Sequence, residues 1–351
     1  MMFFYSPSTR SALRPLFLLA FAVVCFGAWE DPRLSAFFEG GYNSNSAQLS
    51  ECDLTAFEAG DPYWIDLSST DDAVFRAGFE GEYRLRLSGV RIIGGLGYRF
   101  NKYLNNDEMD YHFVRPSMSV LKGSFRGDFA LAHIPKYTPT LYSDDDSPQM
   151  PKLWSSYSTT RGEADLRYEL FGKHSLALAG QVHRDTYSDD FPEYDGWGYR
   201  FGPVWRWSGP VYIKLGYAYR EFSARGWDSE GETKATSDET DISFAEDRID
   251  AYLSRRVYIL SRRGLVGASL ALARRFYSSE KDFSLDYIHV GRRDLRADLS
   301  PFLSCDVTDK MTITLRYDYT FRSADSPYYD LDSVKSWTRS IISARMAYSI
   351  F

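Results

Sequence analysis

The sequence predicts an all-β protein, a closed antiparallel barrel of about fourteen strands that crosses a membrane, and three observations carry that reading. Apolar and charged side chains alternate with a period of two over long segments, which is the signature of strands with one apolar and one polar face. The chain holds 26 Tyr, 24 Phe and 8 Trp yet has a mean hydropathy of −0.37, so its rings must collect on one apolar surface. The links between segments alternate between short and long.

Residues 1–28 read as an export signal removed from the mature chain. Arg10 and Arg14 precede an apolar run from Leu16 to Phe26, and the small Gly27 and Ala28 precede Glu30 and Asp31. A charged start, an apolar centre and a small-residue cleavage site make up a secretory signal peptide. The run is shorter than the roughly 20 residues that a helix needs to span hydrocarbon. Residues 29–351 then form one barrel domain.

Strands are predicted near residues 33–43, 73–87, 90–103, 108–121, 124–135, 154–170, 175–186, 196–207, 211–224, 243–258, 264–277, 285–303, 310–322 and 336–351. The second is the clearest: Phe75, Ala77, Phe79, Tyr83, Leu85 and Leu87 share one face, and Arg76, Glu80, Glu82, Arg84 and Arg86 share the other. In the third, Val90, Ile92, Leu96, Tyr98 and Phe100 oppose Arg91 and Arg99. Ala164, Leu166, Tyr168 and Leu170 oppose Glu163, Asp165, Arg167 and Glu169 in the sixth. Trp197, Tyr199, Phe201 and Trp205 oppose Arg200 and Arg206 in the eighth, and Ile213, Leu215, Tyr217 and Tyr219 oppose Lys214 and Arg220 in the ninth. In the thirteenth, Ile313, Leu315, Tyr317, Tyr319 and Phe321 oppose Arg316, Asp318 and Arg322. Each segment reaches the roughly 9–11 residues that a tilted strand needs to cross a bilayer. The segments 108–121 and 285–303 shift phase midway.

Short turns fall at Ser88-Gly89, Lys122-Gly123, 171–174, 208–210, 261–264 and 304–310, and long polar links at 44–72, 101–107, 136–153, 187–195, 225–242, 278–284 and 323–335. Closed barrels of even strand number carry short turns on the periplasmic side and long loops outside. The first and third long links, 44–72 with Phe57, Tyr63 and Trp64, and 136–153 with several prolines, are the two candidates to fold into the lumen.

On these segments, and on the terminal run Arg345-Met-Ala-Tyr-Ser-Ile-Phe351, the chain resembles the porin-like outer-membrane β-barrels of Gram-negative bacteria. The resemblance implies contact with outer-membrane lipid and lipopolysaccharide, and a terminal aromatic signal read by the barrel-assembly machinery, which falls here on Tyr348, Ile350 and Phe351. Alternation puts Ile350 and Phe351 on opposite faces, so the resemblance also implies a slip in phase near the end. The stretch from Tyr317 to Tyr329 with Trp337-Thr-Arg339 is similar to the C-terminal barrels of surface-export proteins.

The polar faces define the expected pore lining. It consists of Arg76, Arg84, Arg86, Arg91, Arg99, Arg126, Arg200, Arg206, Lys214, Arg220, Arg248, Arg316 and Arg322, with Glu80, Glu82, Asp128 and Asp318. Arg167, Arg275, Arg296, Arg339 and Arg345, and Glu163, Asp165, Glu169, Asp185, Asp250 and Asp298, share those faces. That is a positive lumen in a protein of net charge −7, and rings of arginine favour anions in a pore. Such charges also pair across neighbouring strands and fill the wall.

Acidic runs collect in the outer links, at 144–146, 189–195 and 228–241, without the spacing of a calcium loop. Arg255, Arg256, Arg262 and Arg263 bracket a periplasmic turn and offer a site for a periplasmic partner or anionic lipid. The histidines form no metal-binding pair, no nucleophile elbow occurs, and the acidic chain has no nucleic-acid signature. Neither metal nor cofactor is expected. His183 with Asp185 is the one pair suited to a barrel hydrolase. The expected function is a diffusion channel with modest anion preference; the alternatives are a translocation barrel for an export partner, a non-conducting adhesive or structural barrel, and the hydrolase.

The topology places Cys52 in an outer link and Cys305 at a periplasmic turn, about a membrane thickness apart, whereas a disulfide needs Cα atoms within about 7 Å. Thiol labelling of denatured, unreduced protein is expected to modify both, as read from the intact mass; failure to label either would break the topology.

Overall fold

The computed structural model describes residues 30–142, 151–328 and 330–351. The expected export signal lies outside the described residues, as do the acidic run 144–146 and Tyr329. The strands are β1 (Glu30–Asn43), β2 (Asp72–Leu87), β3 (Val90–Tyr103), β4 (Tyr111–Lys122), β5 (Phe125–Tyr137), β6 (Leu141–Tyr142), β7 (Leu153–Trp154), β8 (Tyr157–Glu169), β9 (His174–Tyr187), β10 (Gly196–Ser208), β11 (Tyr212–Ala224), β12 (Phe244–Ile259), β13 (Arg262–Tyr277), β14 (Arg293–Asp306), β15 (Met311–Asp325) and β16 (Trp337–Ser349). All but β6 and β7 pair with their neighbours into one closed antiparallel barrel of fourteen strands, sealed by β1 against β16. The pair β6 and β7 forms a small separate hairpin between β5 and β8. Helix α1 (Glu51–Glu58) lies in the first loop, with a reciprocal cap between Ser50 and Asp53, and α2 (Asp332–Lys335) is a single turn before β16.

The two-residue period turns the sequence inside out relative to a water-soluble sandwich. Phe75, Phe79, Leu96, Leu215, Ile249 and Leu315 stand exposed on the outer face, while Arg76, Arg99, Lys214, Arg248 and Arg316 on the same strands line an internal cavity. An exposed apolar band around a closed sheet is the form that hydrocarbon demands, because closure leaves no strand edge with its backbone polar groups unpaired. Six tight turns lie at one end of the barrel with Glu30 and Phe351, the first and last described residues, and seven longer loops lie at the other.

Among the boundaries that differ from those the pattern predicts, three have a visible cause or consequence. β4 begins at Tyr111 rather than residue 108, because Asp107–Met109 forms a 3-10 turn and the Asp72 carboxylate accepts from the backbone of Leu104, Asn105 and Asn106 at 2.9–3.0 Å. β14 begins at Arg293 rather than 285, because the chain before it folds back around Asp286, and the strand runs on through Cys305 to Asp306. Cys305 therefore sits in a strand end rather than a turn. Cys52, in α1, is exposed, and both thiols are free.

At the seam, the paired register runs from Asn43↔Ile341 to Ser35↔Ser349. Beyond it the Ile350 amide donates to the Leu34 carbonyl at 2.8 Å, while the Leu34 amide donates to the carbonyl of Phe351 at 3.1 Å. Two residues thus oppose one, and the phase slips. Ile350 and Phe351 are both exposed, 42% and 59%, which resolves the conflict that strict alternation creates.

The turn between β12 and β13 is built from Leu260 and Ser261, with φ of 48° and 65°. Hairpin turns of this hand favour Asn-Gly, because side chains resist positive φ. Replacing the pair by Leu260→Asn with Ser261→Gly is expected to stabilise the barrel by about 1 kcal/mol, read as a higher urea midpoint for unfolding in detergent.

Candidate functional site

The lumen wall is assembled by sequence spacing. A residue and its second neighbour share a strand face, so an Arg-x-Asp triplet delivers both charges to the same wall. Arg126 Nε reaches Asp128 at 2.8 Å, Arg248 Asp250 at 2.9 Å, Arg296 Asp298 at 2.9 Å and Arg316 Asp318 at 2.7 Å. These units join across strands. On one side Arg206 bonds Asp165 at 2.6 Å, and Arg167 lies between Asp165 and Asp128, which also accepts from Ser119. On the other, Arg200 reaches Asp250 at 3.3 Å, and Arg248 lies 4.0 Å from Asp298, which Thr320 also bonds. Arg76 pairs with Glu39, Arg115 with Glu163, Arg275 with Glu246, Arg322 with Asp294 and Arg345 with Glu80.

Much of the predicted positive wall is therefore neutralised by its own carboxylates. Arg99, Arg161, Lys214, Arg220 and Arg339 differ: among the described residues none has a carboxylate within ion-pair distance. Arg99 lies over the Phe113 ring at 5.0 Å, Arg220 over Phe244 at 5.0 Å and Arg339 over Trp337 at 5.7 Å. Aromatic faces hold a guanidinium without cancelling its charge.

A cavity of about 1550 Å³ occupies the lumen. Of the expected lining, Arg76, Arg99, Arg126, Asp128, Arg200, Lys214, Arg248, Arg316 and Asp318 border it. Arg84, Arg86, Arg91, Glu80 and Glu82 gather on β2 and β3 toward the turn end, where Arg86 pairs in register with Arg91. Arg206 is buried in the wall, and Arg220 and Arg322 lie nearer the outer mouth, against Phe244 and Asp294. Arg115, Arg161, Glu39, Glu246 and Asp294 belong to the wall as well and escaped the sequence reading. Two of them, Arg115 and Asp294, sit in segments whose phase was weak, but the two-residue spacing of Arg292 and Asp294, 2.8 Å apart, was visible in the sequence.

The His183–Asp185 pair is placed on the lumenal face with its atoms 4.0 Å apart. Gly198 opposite makes room for the ring, since a Cβ there would lie 2.4 Å from the imidazole. Arg220 approaches Nε2 at 3.2 Å, and the buried Nδ1 has no partner. A donor on Nε2 engages the lone pair that a general base needs. The geometry suits a wall histidine.

The first nominated loop and the described parts of the second pack together over the mouth. Ala47, Leu49, Trp64 and Leu67 of the first loop form a small core with Leu141 of the β6–β7 hairpin, and Trp154 packs against it. Lys152 ties the hairpin to this cap: its amide donates to the Tyr63 carbonyl, its ammonium meets Asp53 at 3.0 Å, and it lies 3.6 Å from the Trp64 ring. Asn45 holds the cap to β16 through the Thr338 carbonyl, and Asn106 holds it to the β3–β4 loop through Ser68 and Ser69. From the hairpin, Tyr142 reaches the rings of Phe191 and Tyr194 between β9 and β10.

At the turn end Arg255, Arg256, Arg262 and Arg263 are exposed, and β12 extends past Ser254, its last register partner on β11, as a two-stranded ribbon with β13. Tyr258 and Leu260 at its tip are exposed by 82% and 95%.

A second latch joins the outer loops on the far side. Asp286 accepts from the Asp241 amide, the Ser279 hydroxyl and His289 Nδ1, at 3.0, 2.7 and 2.8 Å. Burial by itself would raise the Asp286 carboxyl, but hydrogen bonds from His289, Ser279 and the Asp241 amide outweigh it and hold the carboxyl below its ordinary 3.8. Burial likewise keeps His289 below its ordinary 6.5, against the pull of Asp286. Both groups take up protons more readily when the latch opens, so the latch is at full strength above pH 6.5 and weakens as pH falls, first through His289 and then through Asp286. Limited proteolysis of the loops 225–243 and 278–292 is expected to accelerate as pH drops from 7 to 5, and Asp286→Ala to show the acid rate already at pH 7. An unchanged cleavage rate across that range would remove the latch.

No family model and no curated protein matches the chain. Among solved structures it is similar to a bacterial polysaccharide outer membrane secretin (11% identity over 90% of this chain and 98% of that one, TM-score 0.45). It is similar also to OccAB1 of Acinetobacter baumannii (10%, 93% and 98%, TM-score 0.43) and to CdiB from Acinetobacter baumannii (9%, 90% and 60%, TM-score 0.42). The closed sheet, its apolar outer band, its charged lumen and its unequal ends together are the architecture of a β-barrel of the bacterial outer membrane.

Proposed function

We propose that this barrel is an outer-membrane channel for small anionic solutes. The observation that carries the reading is the set of lumenal cations left without carboxylates: Arg99, Lys214 and Arg339 border a charged cavity of about 1550 Å³, and Arg161 and Arg220 stand on the same wall outside its lining. In a lumen walled by low-dielectric strands, an uncompensated guanidinium attracts counter-ions far more than a paired one. Selectivity rests on these residues, and the paired Arg316 and Arg248 serve chiefly to stiffen the wall. The cap over the mouth narrows entry and sets a size limit.

A translocation barrel remains the second reading, favoured by the exposed ribbon with Arg255, Arg256, Arg262 and Arg263, which suits an acidic periplasmic partner. Conductance separates the two. Refolded protein in a planar bilayer under a salt gradient is expected to give steady steps with an anion-favouring reversal potential. The double variant Arg161→Gln, Arg339→Gln is expected to lower the anion-to-cation permeability ratio about two- to threefold, with Arg316→Gln shifting it less. Cation-favouring steps from the parent protein would overturn the anion reading, and silence from barrels shown to be folded by heat-dependent gel migration would favour the export reading.

A further inference from the structure

We propose that the lumen takes up ring-shaped carboxylates on a row of tyrosines that runs around the wall at the loop end and meets the arginine-lined cavity. The inference deepens the anion-channel reading by naming the solute class, and rests on it for entry of the solute. Tyr111 of β4, Tyr137 of β5, Tyr157 of β8 and Tyr187 of β9 stand on four successive strands of the wall, with Tyr137↔Tyr157 and Tyr157↔Tyr187 directly in register. Their ring centroids follow one another at 5.2, 5.5 and 4.6 Å. Outward the series continues to Tyr194 at 5.5 Å, which stacks on Phe191 in the loop between β9 and β10. At its other end stands Tyr111, the first residue of β4, which borders the cavity together with Arg76, Arg99, Arg115 and Arg339.

The hydroxyls distinguish this row from packing that merely fills the wall. Five outward-facing tyrosines are tied down: Tyr42 donates to Asp71, Tyr199 to Glu221 and Tyr217 to Asp247, and Tyr98 and Tyr317 meet His112 and Ser340. Among the described residues, the hydroxyls of Tyr111, Tyr137, Tyr157 and Tyr187 bond nothing in the protein, and their side chains are half-exposed. A tyrosine placed inside a protein normally finds a partner for its hydroxyl. Four neighbours that do not, on a lumenal face, present apolar rings with free polar tips to whatever enters.

A solute matched to this surface has a ring to stack and hydroxyls or ring edges to bond. Its charge follows from the cations beside the row: Arg161 on β8 and Arg339 on β16 lack carboxylates and bear electrostatically on Tyr137, and a guanidinium binds a carboxylate with two parallel hydrogen bonds. Rings with carboxylates come from two sources, acidic sugars and aromatic acids. The successive ring spacings of about 5 Å let a chain of rings touch several tyrosines at once.

The test adds defined probes to the folded barrel, in bilayers for transient block of current and in detergent for quenching of intrinsic fluorescence. The probes are trigalacturonate, benzoate, a neutral trisaccharide and acetate. Trigalacturonate or benzoate is expected to bind at least about tenfold more tightly than the neutral trisaccharide and acetate, which carry the ring or the charge alone. Preference for the first marks acidic saccharides as the source, and preference for the second marks aromatic acids. Tyr157→Leu with Tyr187→Leu is expected to weaken that binding about five- to tenfold, with the reversal potential in simple salt unchanged and with Tyr157→Phe keeping most of the affinity. Acetate binding as well as the ringed acids, or the Leu variants binding like the parent while migrating as folded barrels, would overturn this role of the row. Fluorescence decides the matter even for a non-conducting barrel, so failure of the channel reading and failure of the row give different results.

Discussion

Everything in this molecule follows from the cost of leaving a strand edge unpaired in hydrocarbon. A single open edge exposes a row of amides and carbonyls, each worth several kcal/mol when nothing bonds it. The chain meets that constraint at β1 and β16, where residues separated by almost the whole sequence pair over the stretch from Ser35↔Ser349 to Asn43↔Ile341. Once the sheet is closed, side-chain alternation has only two destinations. One face meets lipid and the other meets a confined, water-bearing interior, so the segregation of rings from charges is a result of closure as much as of composition.

That confinement gives the interior charges their character. Carboxylates accompany most of the arginines, either two residues along the same strand, as in Arg296 and Asp298, or on a neighbour, as in Arg206 and Asp165. Pairing of this kind contributes modest stability where water reaches it and holds long side chains against the wall, keeping the cavity open. The residual field then comes from a minority. Arg99, Arg220 and Arg339 rest on Phe113, Phe244 and Trp337, an arrangement that fixes each guanidinium while leaving its charge available. The protein's net negative charge is thus no guide to what its lumen attracts, because acidic groups are concentrated in the loops outside.

Strand number, phase and orientation were legible in the sequence because alternation is a local property and hydrocarbon enforces it strictly. Arg84, Arg200 and Lys214 could be assigned to the inner face from their neighbours alone. Partnership was less legible. Cross-strand pairing was anticipated, but the two-residue spacing of Arg126 and Asp128 or Arg248 and Asp250 was not recognised as a unit, although it is written in the chain. The start of β14 was misplaced because Leu285, Tyr287 and His289 mimic strand alternation, and only the convergence of Asp241, Ser279 and His289 on Asp286 shows that the segment turns. Arginines that look equivalent in sequence, Arg316 and Arg339 for example, differ in kind because one has an aspartate beside it and the other a tryptophan. The tyrosines of the row were invisible as a group: they come from four strands and meet only through register.

The cap over the mouth has a bearing on how the molecule is made. Asn45, just past the end of β1, bonds the carbonyl of Thr338, and the backbone of Ser44 bonds that of Ser340. Leu141, which completes the small core around Trp64, arrives from a different loop altogether. The cap has no complete binding surface until the last strand is in place, so a barrel that has curled but not yet sealed is an uncovered hole in the membrane. Lid and seam are in this way tied together: the strand that makes the wall continuous also supplies one of the anchors of the cap.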